Sequence, residues 1–98
     1  MIKFEWDINK EKLNIKNHGV SFEEATEVFY DTKAVQGFDA EHSENEDRFY
    51  IIGFSSRRLL FVIYAEKVDL DTIRIITARK AEAKYRTEYT EENYGTTE

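Results

Sequence analysis

The chain has 98 residues, 41% of them hydrophobic and 35% charged, with a net charge of −6. That length suits one compact domain with a modest core. It contains no cysteine, which removes disulfides, thiolate catalysis and zinc–thiolate sites, and no run approaches the roughly 18 apolar residues of a membrane helix.

The opening MIKFEWD places charges where a signal peptide has its apolar run, so the expected setting is cytoplasmic. Charge is spread unevenly. Residues 1–47 carry five Lys/Arg against twelve Asp/Glu, residues 48–89 nine against five, and residues 90–98 none against three. The total argues against broad nucleic-acid binding, while the middle segment reads as a basic working surface on an acidic body.

Along the chain, Ile2, Phe4 and Trp6 alternate with Lys3, Glu5 and Asp7, the period of a half-buried strand. Asp7 is placed to cap a helix through about Asn17, whose thin apolar face is Ile8, Leu13 and Ile15. Gly19 suits its left-handed end. Ser21 and Glu24 have capping-box spacing, and Phe22, Ala25, Val28 and Phe29 form one face of a second helix. Residues 34–38 read as a weak strand and 39–47 as an acidic loop. RFYIIGF (48–54) and RLLFVIY (58–64), separated by a short polar turn, are a hairpin signature, and LLFVIY has the unbroken apolarity of a central strand. Residues 65–72 form a polar connection. IRIITA is the last strand, beside LLFVIY, and residues 80–89 are a terminal helix. The expected fold is α+β, in the order β-α-α-β-β-β-β-α: a small, mostly antiparallel sheet with helices packed on one face. Residues 1–89 make the domain and 90–98 a disordered acidic tail.

Cations flank the strands: Arg48, Arg57, Arg58, Lys67, Arg79 and Lys80. With neighbouring antiparallel strands, Arg57, Arg58, Arg79 and Lys80 fall at one end of the sheet, Arg48 and Lys67 at the other. Such residues commonly just keep strand ends soluble, but a set rich in Arg also suits phosphate oxygens. Period-two counting puts Arg79 in phase with Ile73 and Ile75. His18, at a helix C-terminus, has a structural reason in the helix dipole and remains a candidate acid or base. His42, Glu44, Glu46 and Asp47 match no metal cage and read as solvated loop. The four glycines, at 19, 37, 53 and 95, form no phosphate loop. Most aromatics fit core positions; Tyr64 and Tyr89 are the candidates for contacting a base.

Taken together, FEWD (4–7), Asn14, HGV (18–20), FEEA (22–25), Phe29, Asp31, EDR (46–48), IG (52–53), RLL (58–60) and IRIITARKA (73–81) resemble the BrnT-type toxins of type II toxin–antitoxin pairs. The resemblance runs from residue 2 to about 89. It implies a RelE-like fold, metal-independent ribonuclease activity without a cofactor, and a BrnA-type antitoxin with a ribbon-helix-helix domain. That partner neutralises the toxin, and operator DNA is met only through it. Asn17, Thr32 and Tyr85 stand where the family usually has Lys, Pro and Glu.

Cleavage without metal proceeds by attack of the 2′-hydroxyl on the adjacent phosphate. It needs cations at the five-coordinate phosphorus and a way to move protons. On that reading Arg79, Arg58 and Lys67 act on the phosphate, and Glu46 or His18 is the base. Arg48, Arg57, Lys80, Tyr64 and Tyr89 contact RNA. The alternative is a weak or inactive toxin-fold binding module that holds an antitoxin and modulates operon repression, which the three departures and the acidic charge favour. A third is a structural protein whose Arg residues make internal ion pairs.

Overall fold

A computed structural model describes residues 2–67 and 71–95. The element order is the expected one: β1 (Lys3–Glu5), α1 (Ile8–His18), α2 (Phe22–Glu27), β2 (Val35–Phe38), β3 (Phe49–Phe54), β4 (Leu59–Lys67), β5 (Thr72–Lys80) and α3 (Ala83–Tyr94). Single 3-10 turns follow α2 and β2. The strands form one sheet in the order β1-β5-β4-β3-β2. Every pairing is antiparallel except β1 with β5. LLFVIY lies in the central strand, as its apolarity demands.

The predicted caps form. The Asp7 carboxylate accepts from the N–H groups of Asn9 and Lys10 at 2.8 and 3.1 Å. Gly19 ends α1 at φ 69°, where a side chain would be strained. Ser21 Oγ accepts from Glu24 N–H at 3.0 Å. The Glu24 carboxylate does not make the return bond of a capping box. It binds elsewhere, and Glu11 of α1 accepts from Phe22 N–H at 2.9 Å.

Two cores sandwich the sheet. On the first face Val20, Phe22, Ala25 and Val28 pack on Ile51, Leu60, Val62, Tyr64 and Ile75. On the second, Tyr85 and Tyr89 pack on Ile52, Phe61, Ile63 and Ile76. Two expectations change here. The helices do not all share one face, because α3 returns across the second. The apolar residues of α1 also do not face the sheet: Ile8, Leu13 and Ile15 are exposed, and Asn14 is the buried residue of the helix.

The reason lies at the edge of β5. β1 pairs with it only as far as Arg74, which leaves the backbone beyond without a strand partner on that side. Asn14 supplies one. Its Nδ2 donates to the carbonyls of Ala78 and Val20, both at 2.8 Å, and its Oδ1 accepts from Ala78 N–H at 3.1 Å. A buried backbone pair is thereby satisfied by a side chain that imitates a strand.

β4 and β5 are longer than their apolar runs, since each supplies the other's backbone partners out to Lys67 and Lys80. Residues 65–67, read as part of a connection, are therefore strand; residues 68–70 lie outside the described residues. α3 runs on through Tyr94 into the segment read as a tail, and residues 96–98 also lie outside the described residues. No helix among the described residues is long and apolar enough to cross a membrane.

Candidate functional site

The register of β5 decides where Arg79 points. Tyr64 pairs with Ile75, but Ile63 pairs with Thr77, so β5 holds one extra residue at this point. The bulge reverses the alternation of everything that follows. Arg79 pairs with Phe61 and stands on the second face, opposite to Ile73 and Ile75. Simple period-two counting put it on the first.

On the second face Arg79 meets an aromatic row. Phe61 stacks on Tyr85 at 4.0 Å between ring centroids and on Tyr50 at 5.6 Å. The Arg79 guanidinium lies over the Phe61 ring, 5.6 Å from its centroid, a cation–π placement that holds the charge without consuming its donors. Its nearest carboxylate, Glu82, is 3.8 Å away and exposed, and the Arg79 side chain keeps 41% of its surface open. A solvated contact of that length holds the guanidinium weakly.

The other predicted cations are placed differently, although the sheet ends fall as expected. Arg58 grips Glu24 with two bonds of 3.0 and 2.8 Å and donates to the Gly19 carbonyl at 2.9 Å. Arg57, mostly exposed, stands 3.9 Å from the same carboxylate. Hydrogen bonding from Arg58 holds the Glu24 carboxyl below its ordinary value, against the opposing effect of burial and with help from Ser55. This cluster fastens the α1–α2 corner to the start of β4. At the far end Lys67 pairs with Glu5 of β1 at 3.0 Å. Glu46 pairs with Arg74 of β5 and lies 3.7 Å from Arg48 Nε. Lys80 is exposed on the strand end, where it pairs in register with Leu60.

Tyr64 and Tyr89 are buried inside the fold. Tyr64 is 2% exposed and its oxygen accepts from Gln36 Nε2 at 3.0 Å. Burial, with the charge of Glu66, pushes its hydroxyl up to about 12. The Tyr89 hydroxyl donates to Asp31 at 2.9 Å and is likewise raised, by burial and by that bond, to about 12. Both rings pack in the cores and are not presented to solvent.

His18 and Arg48 come together although 30 positions of sequence separate them. They line a groove of about 290 Å³ between α1 and β5, with Lys10, Asn17 and Thr77. Sequence reasoning passed over Lys10 and Arg74. The signal for Lys10 was its helical spacing, since residues 10, 13, 14, 17 and 18 fall on one side of α1. Among the described residues no three His, Asp or Glu side chains gather as metal ligands would.

Residues 6–84 match the family model described as "Ribonuclease toxin, BrnT, of type II toxin-antitoxin system". A search of curated proteins found no match to the chain.

Proposed function

Since the chain belongs to the BrnT ribonuclease toxins of type II toxin–antitoxin systems, we propose that it cleaves RNA without a metal or other cofactor, with Arg79 as the principal phosphate contact. The substrate 2′-oxygen attacks the adjacent phosphorus, the bond to the 5′-oxygen breaks, and Arg79 stabilises the charge that accumulates between these events. The observation that carries this reading is the state of Arg79: loosely paired, half-open and aimed by the Phe61 ring. A preorganised donor of this kind need not reorganise as charge develops. Arg58 and Lys67, by contrast, act on the fold through their ion pairs. Of the two candidate bases, Glu46 is held by Arg74, whereas His18 is open to the groove; His18 is the better placed to take the proton. The chain works in the cytoplasm, held in check by a BrnA-type ribbon-helix-helix antitoxin, and meets operator DNA only through that partner.

The test is induced expression of the chain alone in a bacterium, following growth and total RNA. Arrest with RNA fragmentation is expected, and Arg79→Ala should slow cleavage by about 10²–10³-fold, the usual cost of one oxyanion donor, while remaining folded.

The net charge of −6 and the departures at Asn17, Thr32 and Tyr85 favour a second reading, a binding module that holds the antitoxin and modulates repression. Growth without arrest at proven soluble expression would select it.

A further inference from the structure

We propose that the groove between α1 and the C-terminal half of β5 is a subsite for the backbone of single-stranded RNA, adjoining the phosphate held by Arg79. This deepens the ribonuclease reading and rests on it. The groove exists because β1 leaves the edge of β5 after Arg74 and α1 takes its place. The same Asn14 that closes the edge at Ala78 presents Lys10, Asn17 and His18 along the rim, one helical turn to either side. Arg48 lines the same groove.

Charge identifies the ligand as an anion. The chain has a net charge of −6, yet among the described residues no carboxylate lines this groove, which carries the cations Lys10 and Arg48. A second depression that shares Arg48 is lined by Glu41, Glu44 and Glu46, so the two differ sharply in charge. Among the described residues the side chains of Lys10 and His18 have no ion-pair or hydrogen-bond partner, and Arg48 is met by Glu46 at 3.7 Å from its Nε, beyond hydrogen-bonding range.

Shape and continuity identify the anion as a nucleic-acid strand. The groove is an open trough, with Asn17 and Thr77 as hydrogen-bonding groups and Leu13 and Ile76 as apolar surface for sugar or base. Thr77 pairs with Ile63 and Arg79 with Phe61, so both stand on the second face. Two residues of strand separate them by about 7 Å. A chain held at Arg79 therefore runs on into the trough without leaving the surface.

The test uses the intact protein and a short 2′-O-methyl oligouridylate, which lacks the attacking hydroxyl and survives incubation. Affinity is measured by fluorescence anisotropy across a salt series for the unaltered chain, Lys10→Glu and Arg48→Ala. Lys10 is exposed on a helix, so its variant should fold, which a melting curve checks. Both variants are expected to bind at least about tenfold more weakly, with a salt slope shallower by about 0.7 for each phosphate left without its cation. Unchanged affinity and slope in both variants would overturn the subsite, as would a Lys10→Glu variant that loses only antitoxin binding. Cleavage of total RNA by the unaltered chain reports on the ribonuclease reading separately. A chain that does not cleave, yet binds the oligonucleotide through Lys10 and Arg48, upholds the subsite and defeats that reading.

Discussion

Arg58 and Arg79 look alike in sequence, each at the end of an apolar strand, and the structure gives them opposite work. Arg58 is 22% exposed and bonded twice to a Glu24 side chain that is 8% exposed. Removing it leaves a nearly buried carboxylate with only Ser55 at 2.8 Å and the exposed Arg57 at 3.9 Å, and frees the Gly19 carbonyl. Arg58→Ala is therefore expected to lower unfolding free energy by about 3 kcal/mol, the lower end for a broken buried pair because Arg58 retains some solvent. Arg79→Ala removes a cation–π interaction and a weak surface pair, and should cost less than about 1 kcal/mol. Urea denaturation of the two variants side by side measures the difference. A large loss for Arg79→Ala would mean that its effect on growth reports folding rather than chemistry.

Among the elements, α3 is tied to its neighbours by specific polar bonds. Tyr50 donates to Glu88 at 2.8 Å, Tyr89 to Asp31 at 2.9 Å, and Asn93 to the Lys33 carbonyl at 2.9 Å. These join the helix to β3, to the turn after α2 and to the residues just before β2. The Tyr50 ring reaches Glu88 across Gly37 of β2, where an added methyl would stand 2.4–2.5 Å from it. Gly37→Ala must push the ring aside, weakening both the bond to Glu88 and the stack on Phe61 beneath Arg79. The expected cost is about 1–2 kcal/mol, read as a fall in melting temperature. The Tyr50 hydroxyl, which the bond to Glu88 and burial raise to about 12, should also titrate closer to its ordinary 10.0 in that variant. Absorbance titration against a Tyr50→Phe control isolates the group.

At the scale of the whole molecule, the internal polar bonds set its stability against pH. Glu24 and Asp31 have carboxyl pKa values below their ordinary 4.5 and 3.8. The Arg58 bond leads for Glu24. For Asp31 burial pushes upward, and the N–H groups of Phe54 and Lys33 with the Tyr89 hydroxyl outweigh it. A group held low contributes stability above its ordinary value and loses it as pH falls through the folded one. Tyr50, Tyr64 and Tyr89 are raised to about 12 from 10.0. They contribute below that ordinary value and lose the contribution as pH rises through the folded one. The urea midpoint should thus be level between about pH 5 and pH 10 and fall on either side. Glu24→Gln should flatten part of the acid limb.

Local chemistry alone determined much of this protein. Period and caps gave the element order, the apolarity of LLFVIY gave the central strand, and the charge distribution marked the segment that bears most of the strand-flanking cations. These features are legible because each depends on residues within a turn or a strand of one another. Lys10 and Asn14 were legible only in part, since helical spacing shows a shared side but not what lies against it. Tertiary structure decided the rest. Ion pairs such as Arg58 with Glu24 depend on which distant segments meet, so the sequence could not tell a committed arginine from an available one. The face of Arg79 depends on an extra residue that appears only when β5 pairs with β4, because alternation is a property of one strand and a bulge is a property of two.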